Sequence, residues 1–228
     1  MPTVSHVVSN LVNQQPFLRE AMLQDIISYA KLAYWMKPQV ERQLGKKVRD
    51  GAITMALHRI SESARAEESK TKTVFSKGQI TLSIKSDIME FTFLKSRSVM
   101  DSISLFYDRV NFEQGEVFNV TQGNYEVSVV VSRKLKKEFE EHMRSEKALS
   151  SLESLALLSI KFPPEVVGAP GFFSQVTSQL AWHDINILES FSTYTEMMLA
   201  LEENSVTRAY NVLQDLFRRK ISELKAEQ

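Results

Sequence analysis

The hydrophobic pattern of the chain changes from helical to strand-like after about residue 72. Over residues 5–72, apolar side chains recur at spacings of three and four, as one buried face of a helix requires. Two such faces consist of Phe17, Leu18, Met22, Ile26, Ile27 and Ala30, and of Ile53, Ala56, Leu57 and Ile60. We therefore expect a helical N-terminal segment.

Several residues are expected to shape these helices. Pro38 should open a helical turn, because proline suits the first helical position, and Gly45 should end it. Asp50 or Gly51 leads into the next helix, and the polar residues 61–72 are interpreted as a helix end followed by a loop. The aromatic side chains among apolar neighbours are interpreted as core: Tyr29, Tyr34 and Trp35.

A short hairpin is predicted next. Thr73–Phe75 and Ile80–Lys85 carry alternating apolar residues and flank the glycine-bearing turn Ser76–Gln79, a pattern typical of two antiparallel strands. Helices followed by a hairpin are the order of a winged helix, so residues 1–85 resemble the winged-helix-like regions that are attached to small-molecule sensors.

The remaining chain predicts one series of elements twice: strand, helix, strand, strand, helix. In residues 86–149 these are Ile88–Leu94, Val99–Val110, Glu116–Gln122, Tyr125–Val131 and Lys134–Arg144. In residues 150–228 they are Leu155–Phe162, Gly171–Trp182, Ile185–Ser192, Glu196–Leu201 and Val206–Phe217. The copies are offset by about 70 residues and share few identities, which indicates an architectural repeat.

This order predicts the fold class α+β, with a helical winged-helix-like domain (1–85) followed by two ferredoxin-like βαββα modules (86–149 and 150–228). Each module would place an antiparallel sheet against helices on one face. A sheet of three strands leaves exposed edges, and pairing with another copy covers one of them. Two copies in one chain therefore predict pairing within the chain, a homodimer, or both.

The second copy resembles an ACT domain, and in particular those at the regulatory end of aspartate kinases. The resemblance rests on Leu157–Ile160, Gly168–Phe173, Leu180–Ser190 and Val206–Phe217. Its two recognisable marks are the Pro-Gly after the first strand and the Ile-Asn-Ile that opens the second. The first copy has Lys95–Ser98 in place of the glycine loop and resembles a degenerate ACT module.

ACT domains mostly bind amino acids or similar small ligands between paired domains. The resemblance implies a ligand loop of Val167, Gly168, Ala169, Pro170 and Gly171, with Asn186 and Ile187 opposite. The two glycines would let the backbone approach a ligand, and the N-terminus of the following helix favours a carboxylate. The amide of Asn186 offers both a donor and an acceptor.

Each of these features has a structural interpretation that stays open. The Gly-Ala-Pro-Gly run would also serve as a tight connection between a strand and a helix, and Asn186 would also serve as a cap at the sheet edge. The first copy, which lacks the glycines, is interpreted as a structural partner rather than a second ligand site.

Charge is balanced overall but not locally. The chain of 228 residues has 28 basic and 28 acidic side chains, yet within residues 31–60 seven basic side chains face only two acidic ones. A basic surface favours polyanions, so DNA is a candidate partner, with contacts from Lys46, Lys47, Arg49, Thr54 and His58. The alternative is an ordinary solvated face on a helical dimerisation module.

Catalytic and membrane signals are not found in the sequence. It has no phosphate-binding glycine loop and no nucleophile elbow, its four histidines are scattered, and cysteine is absent. No run reaches the 18 apolar residues of a membrane span, and the N-terminus does not resemble a secretory signal. We expect a cytoplasmic, non-catalytic regulator without metal or cofactor; docking on a partner enzyme, with the ACT pair as a scaffold, is the alternative.

Overall fold

The computed structural model describes residues 2–76 and 80–226, and the side chains of residues 16, 67–76 and 219–226 lie outside that description. Its contacts divide the chain into two compact units, Met1–Thr73 and Val74–Gln228. Each unit is described by itself below. The predicted division at residues 85 and 149 stays a prediction.

The first unit is helical, as its apolar spacing predicts. Its helices are α1 (Val4–Asn13), α2 (Pro16–Leu23), α3 (Tyr29–Leu44) and α4 (Asp50–Ser76). The Thr3 side chain caps α1 by accepting from the His6 amide, and Ser28 caps α3 through the Lys31 amide. One core joins the helices and includes Val8, Val12, Met36, Val40, Ile53 and Leu57.

The end of α3 confirms one prediction and corrects another. Gly45 adopts φ +65° at the C-cap, a left-handed conformation that glycine reaches without steric cost, so it ends the helix as predicted. Pro38 lies inside α3, and the prediction that it opens a helical turn is wrong. Met36 and Val40, on either side of Pro38, are fully buried. Their packing in the core stabilises a continuous helix despite the proline.

The predicted aromatic core of this segment is partly wrong. Tyr29 is half-buried and donates a hydrogen bond to Ser61 Oγ at 2.8 Å, but Tyr34 and Trp35 are 75% and 53% exposed. The α3 face that enters the core contains Leu32, Ala33 and Met36. Tyr34 and Trp35 fall on the opposite side of the helix because successive residues are rotated by about 100°.

The predicted hairpin after residue 72 is also corrected. Helix α4 continues through residues 61–76, so Thr73–Phe75 is helical and the expected loop is absent from this stretch. No glycine or proline interrupts the sequence between Gly51 and Gly78, and these two residues are the strongest helix breakers. Residues 77–79 of the predicted turn lie outside the described residues, and the winged-helix arrangement is not confirmed.

The second unit has the α+β order that the sequence predicts. Its first copy comprises β1 (Thr81–Leu94), α5 (Arg97–Tyr107), β2 (Phe118–Gln122), β3 (Glu126–Ser132) and α6 (Lys136–His142). Its second copy comprises β4 (Ala148–Lys161), α7 (Phe172–Trp182), β5 (Glu189–Ser192), β6 (Glu196–Glu202) and α8 (Glu203–Ala226). The starts of β3 and β6, at Glu126 and Glu196, confirm the offset of 70 residues.

All six strands form one antiparallel sheet in the order β2-β3-β1-β4-β6-β5. The predicted pairing of the modules within one chain is therefore confirmed. Strands β1 and β4, 14 residues each, are shared between the modules: Ile88–Leu94 pairs with β3, whereas Thr81–Lys85 pairs with Leu157–Lys161. Each module thus receives its fourth strand from the other copy.

The shared strands bend where they pass from one module to the other. Asp87 in β1 and Ser154 in β4 have φ +59° and φ +58°, and the β1–β4 register shifts beside both of them. An unpaired residue of this kind bends a strand and increases its twist. Asp87 and Ser154 therefore mark the bend between the two modules.

The bend folds the sheet so that its helix-free face is concave. Helices cover the other face, where each module has its own core. On the concave face a smaller cluster joins the modules through Ile88 and Val130 of the first copy and Leu155, Leu157 and Ala200 of the second. Ser128 on β3 and Glu189 on β5 hydrogen-bond at 2.8 Å, although four strand spacings of a flat sheet would separate them by about 19 Å.

Candidate functional site

The predicted ligand loop forms an open corner between β4 and α7. Gly171 adopts φ +91° at the N-cap of α7, and no side chain caps that helix. Val167, Gly168, Pro170 and Gly171 are exposed and Ala169 is half-buried. In the described part of the chain, no atom lies within 4 Å of where a Cβ would stand at Gly168 or Gly171. The corner is therefore not filled by side chains of its own module.

The wall beneath this corner is aromatic. Phe172 is buried against Phe162 and Phe217, with ring centroids 4.8 Å and 6.2 Å apart, whereas Phe173 is exposed. The Ala169 amide donates to the Val166 carbonyl at 3.0 Å, which closes the turn before the corner. The loop is thus anchored to the core through Phe172, and its other side faces solvent.

The structure does not bring the loop together with Asn186 and Ile187 within one chain. Strands β4 and β5 run in the same direction, because both are antiparallel to β6. The loop follows the end of β4, whereas Asn186 and Ile187 precede the start of β5. The 11 residues of α7 separate the two, a length of about 16 Å.

Two cavities lie beside the bend in the sheet, at equivalent places in the two modules. The acidic cavity, about 560 Å³, is lined by Leu152, Glu153, Ser154, Leu155, Leu188, Glu202, Glu203 and Asn204. The basic cavity, about 680 Å³, is lined by Ile84, Lys85, Ser86, Asp87, Gln114, Gly115, Ser132, Arg133 and Lys134. The repeat therefore provides two similar hollows of opposite charge.

Arg133 connects the two cavities across the bend. Its Nη2 donates to Ser154 Oγ at 3.3 Å and lies 3.7 Å from Glu203 Oε2. Its Nε lies 3.5 Å from Asp87 Oδ1. One guanidinium thus contacts both residues of left-handed conformation at the bend.

Ion pairs hold the rims of both cavities. The Lys136 ammonium beside Glu153 lowers the pKa of that carboxyl, and Glu153 in turn raises the pKa of Lys136. On the other rim, Lys134 at 2.9 Å and the backbone amide of Asn111 lower the pKa of Glu116. The Glu153 side chain is half exposed, whereas that of Glu116 is only 9% exposed. The exposed Lys136–Glu153 pair therefore orders its rim more than it stabilises the fold.

The residues proposed for DNA contact are only partly arranged as a recognition helix would require. Lys46, Lys47 and Arg49 are exposed, but they precede α4 rather than lie on it. Thr54 is half-buried and donates to the Asp50 carbonyl at 3.0 Å. His58 is exposed and packs edge-on against Tyr29, with ring centroids 4.5 Å apart.

Sequence reasoning missed the residues at the bend and on the concave face. Asp87, Arg133 and Ser154 sit in unremarkable polar stretches, and only the register of the folded sheet brings them together. Glu90 did carry a signal, because it is the one charged residue in the otherwise strand-like run from Ile88 to Leu94.

The described residues show neither a metal-binding cluster nor a membrane-spanning helix. Among residues 2–76 and 80–226, no group of three or more His, Asp or Glu side chains is arranged to hold a metal ion. Nor does any helix in the described ranges combine the length and apolar character needed to cross a bilayer.

No protein-family model and no curated protein matches the sequence, but solved structures match the fold. The ligand-free regulatory subunit of aspartate kinase from Thermus thermophilus aligns with TM-score 0.50 and 12% identity, over 60% of this chain and 98% of the subunit. The regulatory subunit from Thermus flavus gives 0.51 and 12%, over 61% and 99%. Aspartate kinase from Clostridium acetobutylicum gives 0.51 and 17%, over 61% of this chain and 35% of that enzyme.

The aligned part is longer than the whole first unit, so it must include part of the unit that contains the sheet. At these identities the likeness establishes architecture alone. The chain therefore contains an ACT-like α+β fold of the kind found in the regulatory subunits of aspartate kinases.

Proposed function

We propose that the chain is a non-catalytic regulatory protein of the cytoplasm that binds an amino acid or a similar small metabolite. The ligand would occupy the corner of Val167, Gly168, Ala169, Pro170 and Gly171, and binding would be transmitted to the helical unit. The observation that carries this proposal is the open corner at Gly171, where a positive φ and an uncapped helix start leave backbone groups accessible.

The corner needs a second chain to complete it. Asn186 and Ile187 lie at the far end of α7 in the same chain, so their contribution would come from the partner of a homodimer. The edge strands β2 and β5 each pair on one side only among the described residues, and exposed edges favour association with a further copy. A ligand held between chains would couple binding to dimerisation.

A panel of the twenty amino acids in a thermal-shift assay tests the proposal. A ligand at 100 times its dissociation constant adds about 2.7 kcal/mol to stability, which gives a clear shift. Gly171→Ala should weaken the response, and Gly51→Ala, on α4 with open space around its Cβ position, is the control that should leave it unchanged. Asn186→Ala should weaken it in parallel with dimerisation measured by sedimentation. If none of the twenty amino acids shifts the melting temperature, the amino-acid proposal is overturned.

The output of such a regulator would be binding through the helical unit. Within residues 31–60, six basic side chains have no carboxylate partner among the described residues: Lys31, Arg42, Lys46, Lys47, Arg49 and Arg59. The nearby acids are engaged, since Asp50 pairs with Lys37 at 2.8 Å, Asp25 pairs with Arg65 at 2.6 Å, and Glu41 accepts from the Val48 amide. This excess supports DNA contact by Lys46, Lys47, Arg49, Thr54 and His58, with a winged-helix-like arrangement as the finer proposal.

The second candidate is docking on a partner enzyme, with the ACT pair as a dimerisation scaffold. The exposed Tyr34 and Trp35 favour it, because large aromatic side chains dominate the energy of protein interfaces. A gel shift over a range of salt distinguishes the candidates, since affinity for DNA falls steeply with salt in proportion to the phosphates contacted. Binding to a protein partner that is lost in Trp35→Ala and does not change with salt would favour docking. If no DNA is bound even at low salt, the DNA-binding candidate is excluded.

A further inference from the structure

A buried carboxylate stands on the concave face of the sheet, where the two modules meet. Glu90 on β1 is 8% exposed. Its Oε1 accepts from Ser128 Oγ at 3.0 Å and from Thr92 Oγ1 at 3.3 Å. Ser128 Oγ also lies 2.8 Å from Glu189 Oε2 on β5 of the other module. These four side chains form a network between the modules.

The network is one proton short. A hydroxyl carries a single proton, so Ser128 donates to Glu90 or to Glu189 but not to both. Glu90 Oε2 is buried without a hydrogen-bond partner among the described residues. An unpaired buried carboxylate oxygen is costly. A proton on one of the two carboxyl groups lets that group donate to Ser128 Oγ while Ser128 donates to the other, and it removes one of the two negative charges.

Among the described residues, no basic side chain forms an ion pair with Glu90 that could replace that proton. Ser128 faces it from β3, Glu189 faces it from β5, and Leu152 lies opposite it on β4. Apolar side chains of the concave cluster, Ile88 and Leu155 among them, complete the site. Glu189 is the one charged group among the described residues whose field reaches it. Burial, followed by the charge of Glu189, raises the pKa of Glu90.

We propose that Glu90 and Glu189 share one proton, and that this shared proton is a pH-operated latch that holds the concave faces of the two modules together. The latch spans the bend at Asp87 and Ser154, with Glu90 in the first module and Glu189 in the second. It requires no ligand and is independent of the regulatory function proposed above.

The direction of the pH effect follows from the raised pKa. At a pH just below the raised pKa of Glu90 the proton is present and the latch is closed. As pH rises through the raised pKa of Glu90 the proton is lost, and two carboxylates then face each other in surroundings of low polarity. Their repulsion favours opening at the bend, where Arg133 contacts both Asp87 and Ser154.

The absence of native cysteine allows a direct measurement of the latch. Spin labels at Ser104→Cys on α5 and Ser174→Cys on α7, both exposed positions, report the separation of the modules. Between pH 5 and pH 8.5 the wild type should shift toward a longer distance, with the closed fraction falling up to about tenfold per pH unit above the raised pKa. Glu90→Gln keeps a neutral donor at the site and should stay closed throughout.

Matched variants make the test decisive. Glu189→Gln should also flatten the pH response, and it serves if Glu90→Gln fails to fold. Glu126→Gln, an exposed carboxyl on β3, should retain the wild-type response. Carbon-13 NMR should show the Glu90 carboxyl with a pKa above the ordinary glutamate range, and that pKa should fall in Glu189→Gln. Equal pH responses in all variants would overturn the latch, and so would closure at pH 8.5 that depends on added magnesium or calcium.

Discussion

The two glycines of the open corner provide a controlled test of the backbone on which the proposed ligand site depends. Gly171 has φ +91° and ψ −2°, whereas Gly168 has no positive φ, and at neither position does an atom of the described residues lie within 4 Å of where a Cβ would stand. Substitution by alanine therefore adds no clash at either position. The difference between Gly171→Ala and Gly168→Ala isolates the cost of the left-handed conformation.

The magnitude follows from two terms. A left-handed conformation costs an L-residue about 1–2 kcal/mol, and this applies at residue 171 only. Alanine restricts the unfolded chain and contributes about 0.4–1 kcal/mol of stability at either position. We therefore expect Gly168→Ala to be neutral or slightly stabilising, and Gly171→Ala to be less stable than Gly168→Ala by about 1–2 kcal/mol.

The two tryptophans of the chain allow the assay to report on one unit. In a Trp35→Phe background the remaining tryptophan is Trp182, the last residue of the helix that Gly171 begins. Urea unfolding followed by its fluorescence gives the free energy of unfolding of the second unit by linear extrapolation. Equal stabilities of the two variants, or a larger loss for Gly168→Ala, would refute the assignment of strain to the corner.

Three further predictions concern the folded units. Pro38→Ala should stabilise the first unit by about 2 kcal/mol. Proline costs about 3 kcal/mol inside a helix, and it offsets up to about 1 kcal/mol of that cost by restricting the unfolded chain. Urea unfolding followed by Trp35 fluorescence in a Trp182→Phe background measures the change, and no gain in stability would contradict the prediction. Phe106→Ala should cost the second unit about 3–5 kcal/mol, because its buried ring lies 5.0 Å from Phe139 and 5.5 Å from Phe118; the exposed Tyr107→Ala is the control, and similar losses would contradict the core assignment. The pKa of the Glu153 carboxyl, measured by NMR, should lie below the ordinary glutamate range and return to that range in Lys136→Gln. The contribution of this pair to stability is therefore lost as pH falls through the lowered pKa. An unchanged pKa in Lys136→Gln would exclude the ion pair as its cause.

The element order of the second unit was predictable because its signals are local. In β3, Val127, Val129 and Val131 face the helices while Val130 faces the concave cluster, so residues 129–131 form an uninterrupted apolar run. Such a run between turn residues favours a strand without any knowledge of its partners. The 70-residue offset then predicts both modules together.

Features that depend on distant partners were not predictable in this way. The first half of β4 contains Ser150 and Ser151, and it becomes a strand because β1 supplies hydrogen bonds to it. Tyr34 and Trp35 satisfy an apolar pattern, and their exposure depends on which face of α3 the other helices cover. Glu90 and Glu189 are 99 residues apart in sequence, and only the bend of the sheet brings them near Ser128.

The charges at the bend explain how a duplicated module can pair with its own copy in a defined way. With the offset of 70 residues, Arg133 and Glu203 occupy equivalent positions after β3 and β6, and they lie 3.7 Å apart across the bend. In a symmetric homodimer of one module the same position would bring two identical charges together. Duplication within one chain permits the two positions to differ in sign. The ion pair is exposed and contributes little stability. It nevertheless favours pairing of the first copy with the second over pairing of either copy with itself. With the two copies paired in this way, the outer edges of the sheet remain available to a second chain.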